Sequence, residues 1–171
     1  MINRKQRRSV RWNNYDYSRE GSYFITINTK DRFPYFGEIN NGILCLSSVG
    51  QIVYYEWLNT INLRKNITLG SFVLMPNHFH AIIFIDEQLN ENKIAENSNL
   101  VYKNVFGPQK NNLSSMVRGF KGSCTKQIQS IGVSEFAWQP RFYDRVIRNF
   151  DELIRIEEYI DNNILKWKQP R

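Results

Sequence analysis

Apolar and polar residues alternate from Tyr23 to Asn28, the period-two pattern of a strand with one face buried. Gly37 to Leu46 reads as a hairpin turning at Asn40-Asn41-Gly42, residue types that tolerate positive φ. Ser47 or Ser48 is placed to cap a helix running to about Asn62, with Val49, Ile52, Val53 and Ile61 at helical spacing. A strand from about Thr68 to Met75 is broken by Pro76-Asn77, and another, His78 to Ile85, follows at once. Residues 87–112 are rich in Asn, Glu and Lys, show no sustained period and contain Gly107-Pro108, so they predict a long exposed loop. Helical spacing returns from Leu113 to Ser130 through Met116, Val117, Phe120 and Cys124. Trp138 to Ile147 is short and mixed, a strand with a turn at Pro140, and Asp151 to Trp167 is the last helix, capped by Asn149. Strands broken by hairpins, with two or three helices, predict an α+β class with helices packed on an antiparallel sheet.

A chain of 171 residues fits one domain that buries roughly two-thirds of its unfolded surface. The expected organisation is a basic arm, residues 1–20, followed by a single domain, residues 21–171, carrying the loop at about 87–112. No apolar run of about 18 residues exists to span a bilayer, and no apolar segment follows the N-terminal charges as in a signal peptide. A soluble cytoplasmic protein without membrane contact is therefore expected. Cys45 and Cys124 lie far apart, match neither a zinc-knuckle spacing nor a disulfide framework, and are expected to be buried thiols.

The net charge is +7, and its location says more than its size. Arg4, Lys5, Arg7, Arg8 and Arg11 all precede the first acid, Asp16, which leaves 18 basic residues against 16 acidic ones in the rest of the chain. A nearly neutral body with a basic arm suggests a polyanionic partner, the arm following phosphates. Trp12, Tyr15 and Tyr17 could stack on unpaired bases and tilt the reading toward nucleic acid. The alternative is a solubilising tail.

The chain has two histidines, His78 and His80, on either side of Phe79. In a strand, side chains two apart project from one face, so both imidazoles point one way and Phe79 the other. This is a two-toothed clamp for a metal at the start of a strand, where solvent can reach it. Two imidazoles hydrogen-bonded to their neighbours are the alternative.

The segment Met75-Pro76-Asn77-His78-Phe79-His80 resembles the histidine-hydrophobe-histidine signature of the HUH endonucleases, most closely that of the REP-associated tyrosine transposases. The resemblance extends through Tyr15-Asp16-Tyr17, Phe36-Gly37-Glu38, Val117-Arg118-Gly119-Phe120-Lys121, Trp138-Gln139 with Phe142-Tyr143-Asp144, and Tyr159-Ile160 leading to Asn163 and Trp167. It departs at Ile164, where relatives commonly carry proline. The resemblance implies a ferredoxin-like sheet with helices packed on it and a divalent metal held by the two histidines and a polar residue. It further implies a tyrosine nucleophile on the last helix, and binding of single-stranded or hairpin DNA formed by short repeated palindromes, at the bacterial nucleoid.

At about 100° per residue, Leu153, Ile156, Ile160, Ile164 and Trp167 form an apolar stripe, with Tyr159 and Asn163 one turn apart along its margin. Tyr159 is then the candidate nucleophile and Asn163 the candidate third metal ligand. Tyr143 is the rival nucleophile. Packing at the stripe's edge would explain the last-helix pair without any chemistry. A phosphodiester resists attack because its oxygens are negative, so a cation on a non-bridging oxygen offsets the charge that builds in the transition state. Two imidazoles, an amide oxygen and open positions suit Mg²⁺ or Mn²⁺. Arg118, Lys121, Arg141, Arg145 and Arg148 are further candidates for phosphate contact, though such residues usually form a solvated face.

The expected activity is thus that of a transposase which nicks and rejoins single-stranded DNA through a 5′-phosphotyrosine, working as a monomer or homodimer. The competing class is a domesticated module that binds DNA or RNA hairpins without cutting. A structural zinc domain is disfavoured, because no cysteines support a closed four-ligand site. Deleting residues 1–12 is expected to weaken DNA binding and reduce the log-log salt slope by roughly 0.7 to 0.9 for each lost phosphate contact. An unchanged slope in a salt titration would show the arm to be a tail.

Overall fold

The computed structural model describes residues 20–86 and 112–167. The N-terminal arm, with Arg4, Lys5, Arg7, Arg8 and Arg11, lies outside the described residues, as does the 87–111 segment. Among the described residues, six strands and three α-helices run in the order β1 (Gly21–Asn28), β2 (Gly37–Asn40), β3 (Ile43–Leu46), α1 (Ser48–Leu63), β4 (Ile67–Met75), β5 (His78–Ile85), α2 (Leu113–Ser130), β6 (Tyr143–Ile147) and α3 (Phe150–Asp161). A four-stranded antiparallel sheet has the order β4-β5-β1-β6, and β2 and β3 pair separately as a hairpin. With the hairpin set aside, the sequence β1-α1-β4-β5-α2-β6 in that strand order is the ferredoxin-like arrangement.

The local signals act where the residue types predict. Asn41 and Gly42 take φ of 50° and 76° in the β2–β3 turn, the left-handed region that a two-residue hairpin connection requires. Ser47 caps α1 by accepting from the Gly50 amide at 3.0 Å, and Asn149 caps α3 by accepting from the Glu152 amide at 2.9 Å. Asn112, placed by its composition in the loop, instead caps α2 in a reciprocal pair with Ser115.

The period of two in β1 and β5 divides the core into two layers. Tyr23, Ile25 and Ile27 join Phe79, Ala81, Ile83 and Ile85 against α1 and α2, with Trp57 and Phe120 at the centre. Phe24 joins Ile82, Val73, Met75 and Ile147 on the opposite face, where Leu153, Ile156, Ile160, Ile164 and Trp167 pack. The stripe expected on the last helix is therefore the cover of the second face.

Four expectations need correction. The last helix ends at Asp161 rather than Trp167, and turns carry the chain onward. There the side-chain amides of Asn162 and Asn163 donate to the carbonyls of Glu158 and Tyr159, at 2.7 and 2.8 Å, in competition with the backbone ladder. Ile61 is 48 % exposed, and Trp57 and Thr60 continue the buried face of α1 in its place. Cys45 is exposed on the hairpin; Cys124 is buried as expected. The strand sought at Trp138 to Ile147 is confined to Tyr143–Ile147, and Trp138 forms an isolated bridge with Thr29.

Phe79 is fully buried and meets Trp57 at 4.7 Å and Phe72 and Phe120 at 5.9 Å between ring centroids. Phe79→Ala should cost about 3–5 kcal/mol in urea denaturation. A loss below about 1 kcal/mol would mean that this layer closes around the void.

Candidate active site

His78 and His80 open β5, and both imidazoles stand on the α3 face with ring centroids 4.7 Å apart. Each is nearly enclosed, at 7 % and 5 % exposure. Their surroundings come from the cross-strand register, in which His80 lies opposite Thr26 and His78 opposite Asn28. Thr26 Oγ1 is 2.8 Å from His80 Nδ1, and the Phe24 ring stacks on His80 at 5.3 Å.

Asn77 fixes the other ring. Its Nδ2 donates to the Arg32 carbonyl at 3.0 Å, which turns its Oδ1 toward His78 Nδ1 at 2.7 Å. An amide held in that orientation accepts, so His78 carries its proton on Nδ1 and presents a lone pair at Nε2. The Asn77 carbonyl accepts from the Thr29 amide and hydroxyl, both at 3.0 Å, which ties the β4–β5 turn to the segment after β1.

Tyr159 reaches the pair from α3. Its hydroxyl is 3.2 Å from His80 Nε2, and its ring stands edge-on to Phe24 and His80 at 6.0 and 5.2 Å. The tautomer of His80 that leaves Nε2 free to ligate has the Nδ1 proton on the Thr26 side, and in it the Tyr159 hydroxyl donates to Nε2. The phenol is 46 % exposed, open to solvent on one side and packed on the other. Tyr143, on β6 opposite Thr26, makes no hydrogen bond or ring contact with either histidine. Asn163 follows Tyr159 by one turn, but its amide nitrogen is engaged with the Tyr159 carbonyl. Trp167 closes the far side, 5.9 Å from the His78 ring.

Burial first, then the charge of His80 and then Arg32, lowers His78 from 6.5 to about 3; burial, then Arg32, lowers His80 to about 4. Both rings are thus neutral near pH 7, the form that binds a metal. Among the described residues no third His, Cys, Asp or Glu joins them into a metal cluster. The donor set is two imidazoles with hydroxyl and amide oxygens close by, which fits a six-coordinate divalent cation that keeps water positions and does not fit a closed zinc site. The Nδ1 hydrogen bonds to Asn77 and Thr26 resemble the outer partners that commonly orient ligating histidines.

The candidate phosphate-binding residues are not gathered here. Lys121 donates to the carbonyls of Gln139 and Arg141 at 2.8 and 3.1 Å and lies over the Trp138 ring, so it braces that loop; burial lowers its pKa. Arg145 pairs with Glu152, whose carboxyl is held below its usual range by the Arg148 amide and by Arg145. Arg118, Arg141 and Arg148 are exposed. The cation that does act on both imidazoles is Arg32. It also borders a cavity of about 780 Å³ between the hairpin, the Pro76-Asn77 turn and Trp167. Sequence reasoning missed Arg32, Thr26 and the orienting role of Asn77. Asn77 was visible beside His78, but the others are brought in only by strand pairing.

This α+β sheet, with a histidine pair at the mouth of β5 and a tyrosine from the last helix, has the fold of the HUH transposases. A solved REP-associated tyrosine transposase bound to a REP hairpin superposes with a TM-score of 0.61 at 20 % identity, over 92 % of this chain and 74 % of that one. No family model matches the sequence. An uncharacterized protein of Haemophilus influenzae is 36 % identical over 168 residues, spanning 96 % of this chain and 92 % of that protein, and the chain belongs to the same family.

The buried histidines make stability acid-sensitive. Below about pH 6.5 an unfolded imidazole takes up a proton that the folded protein refuses until about 4 at His80 and about 3 at His78. Their contribution is therefore present above 6.5 and is lost as pH falls toward those folded values. Between about pH 7 and about pH 5, in chelator, each ring should cost up to about 2 kcal/mol of unfolding free energy. A His78→Gln/His80→Gln variant should show a flatter profile, and equal slopes for the two proteins would contradict the assignment.

Proposed function

We propose that the protein is a metal-dependent single-stranded DNA nickase and strand transferase acting on hairpin-forming repeat DNA, with Tyr159 as nucleophile. The observation that carries this reading is the Tyr159 hydroxyl 3.2 Å from Nε2 of one member of the histidine pair. Packing alone would favour a phenol turned to solvent or to a carbonyl; here it meets the atom that a ligating imidazole presents. The fold shared with a transposase bound to a REP hairpin supports the substrate class.

His78 and His80 would hold Mg²⁺ or Mn²⁺, with Oδ1 of Asn163, whose Nδ2 donates to the Tyr159 carbonyl, as a further ligand. When bound, the cation withdraws charge from a non-bridging phosphate oxygen and favours the phenolate. The protein's own groups do the rest. Phe24 and the α3 stripe fix the Tyr159 ring, Thr26 and Asn77 orient the imidazoles that burial and the Arg32 charge keep neutral, and Arg32 offers a positive charge to the strand beside the scissile phosphate. Tyr159 Oη bonds to phosphorus as the bond from phosphorus to the 3′ oxygen breaks. The phenolic proton leaves to solvent and the departing 3′ oxygen gains one. The phosphotyrosine ester keeps the energy of the broken bond, so a later 3′ hydroxyl can displace the tyrosine without ATP. Flanking nucleotides have room in the cavity lined by Arg32, Asn77 and Trp167. The basic arm, and exposed Arg118, Arg141 and Arg148, would contact phosphates away from the cut, at the nucleoid in the cytoplasm.

Tyr159→Phe removes the attacking oxygen and keeps the ring that packs on Phe24 and His80. With Mn²⁺ and a hairpin labelled 3′ of the cut, wild type should give a protease-sensitive covalent adduct. Tyr159→Phe should give none at unchanged hairpin affinity, and His78→Ala or His80→Ala should likewise bind without cutting. Retention of the adduct in Tyr159→Phe with its loss in Tyr143→Phe would move the nucleophile to Tyr143. Tight hairpin binding by wild type without any adduct would identify a non-cleaving module.

A further inference from the structure

We propose that Asn28 supplies an oxygen ligand to the divalent cation held by His78 and His80. Asn28 is the last residue of β1, and the unbroken register from Gly21 to Asn28 sets it directly opposite His78. Tyr23, Ile25 and Ile27 face α1 and α2, whereas Phe24 and Thr26 face α3 and the histidines. Alternation therefore puts the Asn28 side chain on the histidine face, with its Cβ roughly 4.5–5.5 Å from that of His78, as for any directly opposed pair.

The Asn28 Oδ1 is shielded from solvent and has no hydrogen-bond partner among the described residues. A buried amide oxygen left in that condition is costly and calls for a donor or a cation. In the tautomers that leave both Nε2 atoms free to ligate, the Nδ1 protons point to Asn77 and to Thr26, so neither imidazole can donate to this oxygen. A phosphodiester cannot serve the oxygen, because it is ionised and carries no proton. A divalent cation on the two Nε2 atoms can, and a carbonyl-type oxygen is a hard donor suited to Mn²⁺ or Mg²⁺. Asn163, the ligand expected from the last helix, donates its amide nitrogen to the Tyr159 carbonyl and keeps its Oδ1 unengaged in that bond. Two adjacent strands would then carry three ligands of the cation, beside the α3 residue that carries the nucleophile.

This assignment rests on the metal-dependent reading above. It is tested without DNA or turnover, by Mn²⁺ titration followed by electron paramagnetic resonance and by melting with Mn²⁺ or chelator. Wild type, His78→Ala, Asn28→Ala, Asn28→Asp and Asn163→Ala are compared. Asn28→Ala should weaken Mn²⁺ binding about tenfold or more and should melt no lower than wild type in chelator, since the lost oxygen bonds to nothing there. Asn28→Asp, the same size with a full charge, should bind Mn²⁺ more tightly than wild type. Wild-type Mn²⁺ affinity in Asn28→Ala, or an unchanged affinity in Asn28→Asp, overturns the inference while His78→Ala still loses the ion. A lower melting point of Asn28→Ala in chelator with unchanged Mn²⁺ affinity makes the role structural and also overturns it. If wild type binds no Mn²⁺, or His78→Ala binds it equally well, the metal-dependent reading falls and Asn28 with it.

Discussion

A one-residue slip between β1 and β5 would exchange the two faces of the central strand, turning Phe79 toward α3 and driving both imidazoles into the layer of Trp57 and Phe120. The site depends on the absence of that slip. β5 is paired along its length by β1 and, with a bulge between Leu69 and Phe72, by β4, and its start is set by the two-residue Pro76-Asn77 turn that pairs Met75 with His78. The turn is itself anchored, because the Asn77 carbonyl and side chain bind Thr29 and the Arg32 carbonyl. The residue that orients His78 thus also fixes where β5 begins, so ring orientation and strand register have a common origin.

The two faces of the sheet are covered unequally, and the difference makes room for chemistry. α1 and α2 together bury the face that holds Phe79. The other face has α3, which ends at Asp161, and the short turn after it. Ile160 and Ile156 lie among the residues that cover Ile82, but the helix ends soon after Tyr159, so His80 is met by a phenol at the border and His78 by Trp167 beyond it. A helix continued to Trp167 would keep its carbonyls in the backbone ladder. The Asn163 side-chain amide instead takes the Tyr159 carbonyl, its backbone amide shifts to the Ile160 carbonyl and the chain turns, while Ile164 and Trp167 still reach the apolar layer.

Much of this was legible where one element decides its own form. Strand alternation in Tyr23 to Asn28, the Asn-Gly turn, the caps Ser47 and Asn149, and the common face of His78 and His80 are local properties. The failures have equally local causes. Ile61 lies about 120° around α1 from Val49, outside the arc that Val53, Trp57 and Thr60 fill. Asn162 and Asn163 are read as helical by the stripe that passes through them, yet their amides compete for the carbonyls that would continue the helix. Thr26, Asn28 and Arg32 were not legible at all. They join the histidines through the pairing of β1 with β5 and the turn that follows β1, and no periodicity within one segment says which strand lies beside it.

Three requirements of the proposed reaction oppose one another, and the edge-of-core position is what reconciles them. Metal binding requires neutral imidazoles, which burial and the Arg32 charge provide by lowering both pKa values. Phosphate binding requires a positive charge that remains charged, and a guanidinium keeps its proton where an imidazole at the same place does not. Attack requires an oxygen that substrate can reach, and Tyr159 is half exposed although its ring is packed. A deeper site would satisfy the first requirement and exclude the substrate. A shallower one would admit DNA, but its solvated histidines would titrate near neutrality and compete with the metal for protons. At the mouth of β5 the rings sit inside the boundary and the phenol crosses it, so the same short stretch of α3 can seal the core and present a nucleophile.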